Sequence, residues 1–128
     1  MVTLGLSKSS RLLNSHDFQR VFQDAQFKVS HRYLLILARP NGLSYPRLGL
    51  VIAKKNIRFA VQRNRIKRRI RETFRLQQHT LPCLDAIVLA RSQLDTLDNT
   101  AQTELLNKQW ARLVKQFTKA QQQAAQQQ

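Results

Sequence analysis

Five side chains, Asn64, Lys67, Arg68, Arg71 and Arg75, recur at i, i+3, i+4, i+7 and i+11, the spacing that lines residues along one side of an α-helix. They belong to RNRIKRRIRETFR, residues 63–75, in which seven of thirteen residues are Arg or Lys and the one acid is Glu72. The chemistry such a stripe performs is phosphate binding. Arginine's planar fork donates paired hydrogen bonds to an anion, and lysine adds a mobile point charge. Glu72 can pair with Arg68 or Arg75 and so neutralises at most one cation. An ordinary solvated helix mixes signs, whereas this one is nearly all positive, so the stripe reads as a surface for a polyanion. Lys54, Lys55 and Arg58, just upstream, extend that surface together with Arg63 and Arg65.

A helix that displays charge must be held from its other side. Ile66, Ile70, Thr73 and Phe74 also recur at helical spacing and supply that anchor. Around it lie three β-rich runs, Tyr33–Arg39, Arg47–Ala53 and Asp85–Arg91. Pro40, Asn41, Gly42 and Pro46 join the first two and predict an antiparallel hairpin. Residues 26–32 are a candidate leading strand. The basic helix then connects the second run to the third as a strand–helix–strand crossover. A short amphipathic helix begins at Ser15, the expected cap, with Asp17 in its first turn and Phe18, Val21, Phe22 and Ala25 at helical spacing. A last helix, from about Thr100 to Ala120, places Leu106, Trp110, Leu113, Val114 and Phe117 on one face. Residues 1–14 read as a basic extended arm whose Leu12 and Leu13 reach the core, and 121–128 as a disordered Gln-rich tail.

The composition agrees with one small domain that meets a polyanion. The chain has 128 residues, 22 Lys and Arg against 7 Asp and Glu, a formal charge of +15 and a pI near 11.5. So large an excess repels itself in isolation and points to nucleic acid or an anionic membrane surface. No stretch has the roughly 18 to 20 apolar residues that span a bilayer, and the N-terminus lacks a signal peptide's apolar core, so a cytosolic protein is expected. A membrane-surface role fits poorly, because the narrow apolar face of the basic helix is needed by the domain itself. Cys83 has no second cysteine to pair with, and His16, His31 and His79 have no metal-ligand spacing. The seven acids form no close catalytic motif, which argues against a nuclease acting by its own side chains.

The segment AKKNIRFAVQRNRIKRRIRETFR, residues 53–75, with its Arg63-Asn64-Arg65 signature, resembles the protein subunit of bacterial ribonuclease P. The resemblance extends to RLLNSHDFQRVF at 11–22, RLGLVIA and DAIVLAR, and so covers most of the chain. It implies an α/β (α+β) sandwich, a single domain over residues 1–120 with the order αβββαβα. The central four-stranded sheet would have a left-handed crossover around the basic helix, a hand opposite to the general rule. It further implies an RNA-binding, cytoplasmic subunit of an endoribonuclease whose catalytic RNA removes the 5′ leader of precursor tRNA. Mg²⁺ would be held mainly by the RNA, with none bound tightly by the protein, no catalytic residue in this chain and no obligate protein partner.

Residue by residue, Arg63, Asn64, Arg65, Lys67, Arg68 and Arg71 match the family's RNA-facing motif. Phe18 and Phe22, which read as core residues on spacing alone, match aromatic positions of a cleft for the single-stranded leader. Ile36 occupies a cleft position that is aromatic in some members. The loop 56–59 lacks the glycine of many members. A general RNA-binding or ribosomal protein explains charge and size equally well, and only the motif distinguishes the two readings.

Overall fold

The computed structural model describes residues 14–126. Its elements are α1 (Ser15–Gln23), β1 (Phe27–Ser30), β2 (Leu34–Pro40), β3 (Arg47–Val51), α2 (Ala60–Gln77), β4 (Leu84–Ala90), a 3₁₀ turn (Leu94–Thr96) and α3 (Asn99–Gln126). The element order is the expected αβββαβα, around a mixed four-stranded sheet. The proposed N-terminal arm lies outside the described residues except for Asn14.

The strand order, β1-β2-β4-β3, corrects the predicted hairpin. β2 runs antiparallel to both β1 and β4, while β3 lies parallel to β4 in the register Arg47↔Asp85 to Val51↔Leu89. The turn formers do mark a change of direction: Gly42 adopts φ 70° and the Asn41 side chain accepts from Leu43 N–H at 2.8 Å. They say nothing about which strand becomes the neighbour. β4 enters between β2 and β3 because it is buried at every position except Leu89, as expected of a central strand covered on both faces.

The two faces are unequal. On one, Ile36, Ala38, Leu48, Ala86 and Val88 meet Ile66, Ile70 and Phe74 of α2 and Leu106, Trp110 and Leu113 of α3 in the main core. Phe74 and Trp110 pack edge to face at 5.6 Å, and the indole N–H donates to Thr73 Oγ1 at 3.1 Å. The anchor face expected of α2 is thus the one buried. On the other face, α1 covers a smaller cluster of Val21 and Ile87, packed with Phe18, Leu37, Val51 and Leu89.

Three boundaries differ from expectation. The cap of α1 is Asn14, whose Oδ1 accepts from Asp17 N–H at 2.9 Å, so Ser15 is the first helical residue. Asn and Ser are equally competent caps, and composition does not choose between neighbours. The helix ends at Gln23, leaving Ala25 exposed beyond it. α3 begins one residue after Asp98, whose carboxylate accepts from Ala101 N–H at 2.8 Å, and runs on through the Gln-rich segment to Gln126 rather than ending near Ala120. Ala and Gln are good helix formers, and propagating an existing helix needs no new nucleus.

Candidate nucleic-acid interface

The approach to α2 is a tight turn. Asn56 and Ile57 N–H both donate to Ala53 O at 3.0 Å, Ile57 is fully buried, and Asn56 Nδ2 donates to Ala90 O at 3.1 Å. This ties the turn to the end of the central strand. Arg63 closes it from the helix side: its Nη1 donates to Ile57 O at 3.0 Å and to Arg58 O at 2.8 Å. The first Arg of the Arg63-Asn64-Arg65 signature therefore shapes the loop that carries Lys54, Lys55 and Arg58, a role that spacing alone did not indicate.

Lys54, Lys55, Arg58, Asn64, Arg65 and Arg68 are exposed, with Lys67, Arg71 and Arg75 half-buried beside them. Glu72 pairs with Arg69 at 3.5 Å, not with Arg68 or Arg75. Arg69 is already half-buried, so holding its head in an ion pair costs less side-chain entropy than holding that of exposed Arg68. The single acid of the segment is thereby directed away from the stripe. The first turn of α2 contains no acid and its cap Phe59 makes no side-chain cap bond, so the positive end of the helix dipole adds to the same field. Phe59, 61% exposed, lies under the Arg58 guanidinium at 5.4 Å. It is an exposed aromatic at the mouth of the cationic surface that helical periodicity could not find, because it precedes the helix.

On the opposite face of the sheet, Phe18 is half-buried against Leu37, Val51 and Leu89, and Phe22, one turn on, is 46% exposed. These two do share a surface. Ile36 does not join them: its exposure is 0% and it lies in the main core under α2 and α3. Side chains alternate across a strand, so Leu35 and Leu37 point toward α1 and Ile36 points away. The expectation that Ile36 lines the cleft is corrected accordingly.

α1 is held to the sheet by ion pairs. The Arg47 guanidinium forks onto Asp85, Nε to Oδ1 at 2.8 Å and Nη2 to Oδ2 at 2.7 Å, and Nη2 also lies 3.5 Å from Asp17 of α1. Asp85, 6% exposed, accepts a further bond from Asn41 Nδ2 at 3.0 Å. The hydrogen bonds that Arg47 donates to the Asp85 carboxylate hold its guanidinium above its ordinary range. At the other end of α1, Asp24 pairs with Arg39 at 3.4 Å. Asp17, Asp24, Glu72 and Asp85 thus hold arginines, and Asp98 caps α3. Among the described residues no three His, Cys, Asp or Glu side chains gather into a group that could hold a metal ion.

The family model described as Ribonuclease P matches residues 6–114. The ribonuclease P protein component of Chromohalobacter salexigens is 53% identical over 115 residues, covering 90% of each chain. That of Pseudomonas aeruginosa is 47% identical over 115 residues, covering 90% of this chain and 85% of its own. Among solved structures, the RNase P protein of Staphylococcus aureus superposes with a TM-score of 0.71 at 28% identity, over 84% of this chain and 94% of the other. The protein from Thermotoga maritima does so with a TM-score of 0.67 at 33% identity, over 79% and 96%. Together with the cationic α2 surface and the αβββαβα order, these matches establish that the chain belongs to the bacterial ribonuclease P protein family.

Proposed function

We propose that this subunit joins a catalytic RNA and helps it hydrolyse the phosphodiester that links the 5′ leader to precursor tRNA. The observation that carries the reading is the α2 surface, where Lys54, Lys55, Arg58, Arg65 and Arg68 are exposed while Glu72, the one acid of the 63–75 segment, is turned onto Arg69. Phosphate contacts at this surface position the protein on the catalytic RNA. Phe18 and Phe22 offer ring faces to an unpaired leader, and stacking tolerates any base, which suits an activity applied to many tRNAs. Mg²⁺, held by the RNA, supplies the Lewis acid and the activated water. The cations of this chain offset phosphate repulsion, so that less free Mg²⁺ is needed to close RNA and substrate together. The reading places the protein in the cytoplasm, with precursor tRNA as the shared substrate. Among the described residues no helix is long and apolar enough to cross a membrane.

The test is reconstitution. Purified chain, a bacterial ribonuclease P RNA and precursor tRNA should give a single 5′ cleavage, with the largest stimulation by protein at low Mg²⁺. The chain without the RNA should leave the precursor intact. Cleavage by RNA-free protein that survives further purification and is lost on Asp or Glu substitution would overturn the reading. So would binding of unrelated RNAs as tightly as the catalytic RNA, with no stimulation.

A further inference from the structure

α3 carries a second cationic stripe. Lys108, Arg112, Lys115 and Lys119 follow at i, i+4, i+7 and i+11, and all four are exposed, on the side away from buried Leu106, Trp110 and Leu113. At ~1.5 Å rise per residue the stripe is about 16 Å long. From Leu105 to the end of the chain there is no acid. Glu104 stands one turn before Lys108, yet among the described residues it forms no ion pair with Lys108, Arg112, Lys115 or Lys119.

Neighbouring elements enlarge this surface. Arg112 Nη1 donates to Ser30 O at 3.3 Å, seating the stripe against the β1–β2 turn, where Arg91 Nη1 donates to Ser30 Oγ at 3.1 Å and to His31 O at 2.6 Å. Arg32, exposed, lies 5.3 Å from the centre of the Tyr33 ring. Burial first, and then the charges of Arg112 and Arg91, push the His31 imidazole below its usual range. α3 rests on β1 and α2 on β3, and these are the two outer strands of the sheet. The two cationic surfaces therefore flank opposite edges of the domain.

We propose that the α3 surface is a second RNA-binding face that takes the phosphate backbone of a double-helical RNA segment, so that the protein bridges this segment and the RNA held by α2. A solvated helix would alternate signs, and this one does not. A helix lying on lipid would need a free apolar face, whereas that of α3 is buried in the core. Single-stranded RNA is held through aromatic platforms, but Trp110 is fully buried, Phe117 packs on Phe27 at 5.7 Å, and half-buried Tyr33 packs against the main core with Arg32 beside its ring. What remains is a straight row of cations matched to a regular backbone, and double-stranded RNA is recognised mainly by such contacts. The inference needs only that RNA binds, and is independent of leader removal.

The experiment uses the full chain, an RNA duplex of about 12 base pairs with arbitrary sequence, and no catalytic RNA. Sedimentation at low salt should show two duplexes per wild-type protein. K108Q/K115Q/K119Q, which spares Arg112 and its bond to Ser30, should bind one, with the slope of log affinity against log salt reduced by roughly 2. R65Q/R68Q on α2 should also bind one, and the combined variant none. Lys115→Gln alone, at an exposed position, provides a check free of folding effects: its slope should fall by about 0.7 to 0.9. One duplex on the wild type, or an unchanged stoichiometry and slope in the α3 variants, would overturn the proposal. So would a loss of binding to anionic-lipid vesicles with duplex binding intact.

Discussion

α1 and α2 lie on opposite faces of one sheet and use arginine in opposite ways. Around α1, Arg47 and Arg39 are consumed by Asp85, Asp17 and Asp24, and the helix itself presents half-exposed Phe18 and exposed Phe22. Along α2, the acid is directed aside and the cations face outward. A short helix with one small apolar cluster beneath it gains from ion pairs at both ends. A helix locked by Ile66, Ile70 and Phe74 does not need them, and its exposed Arg65 and Arg68 stay available to a ligand. In this molecule the partly buried, bidentate arginine is spent on structure, and the exposed arginines on a well-anchored helix are the ones proposed to meet RNA.

That distinction can be broken most directly at Arg47. Arg47→Ala leaves the Asp85 carboxylate buried without its fork and should destabilise the fold by about 3 to 5 kcal/mol, read as a shifted urea midpoint, with the salt slope of RNA binding unchanged. If the variant folded normally but bound RNA more weakly, Arg47 would belong with the functional arginines. The second comparison sets Ile36 against Phe22. Ile36→Ala should cost about 2 to 5 kcal/mol of stability, as for truncation of a buried side chain, and leave the preference for precursor over mature tRNA untouched. Phe22→Leu should do the reverse, keeping stability while weakening precursor binding by about 1 to 3 kcal/mol per base unstacked. Equal effects on both tRNAs would remove Phe22 from the leader surface.

Arg68→Ala tests the exposed side with a smaller effect. Stability should stay within about 0.5 kcal/mol, while the slope of log affinity for catalytic RNA against log salt falls by roughly 0.7 to 0.9. An unchanged slope would mean that Arg68 meets no phosphate. The smallest effect concerns His31, whose pKa is lowered from 6.5 by burial and by Arg112 and Arg91. The folded state disfavours the protonated ring, so the unfolded chain takes up more protons as pH falls. Stability should therefore be fully present above about 6.5 and decline slightly through the interval down to the depressed folded value, with no further loss below it. Arg112→Ala should move the His31 titration, followed by NMR, back toward 6.5.

Much of this was legible in the residues, and the reasons it stopped where it did are local. Ile66, Ile70, Thr73 and Phe74 were readable as the buried face of α2, because helical period is a property of neighbours in the chain, and the cationic stripe followed by the same count. The strands were readable as apolar runs, and the resemblance to the ribonuclease P protein added their order along the chain. Pairing was not legible, because β4 enters between β2 and β3 from 33 residues beyond the end of β3, and no turn residue between the two records that. The face of Ile36 depends on strand register, which shifts a side chain from one layer to the other with a single step.

Charge shows the same boundary. Composition alone determined that the chain is a strong polycation suited to a polyanionic partner, since net charge needs no geometry. Which cations remain exposed depends on where each acid comes to rest, and that is a question of three-dimensional distance: Asp85 reaches Arg47 across 38 positions, while Glu72 turns to Arg69 rather than to Arg68. Arg63 likewise belongs to the motif in sequence and to the loop in space. Sequence determined the helices, the strands and the sign of the surface, because these follow from local period and from sums over residues. Only the tertiary structure decided the neighbours, the faces and the unpaired charges, because those depend on which distant groups meet.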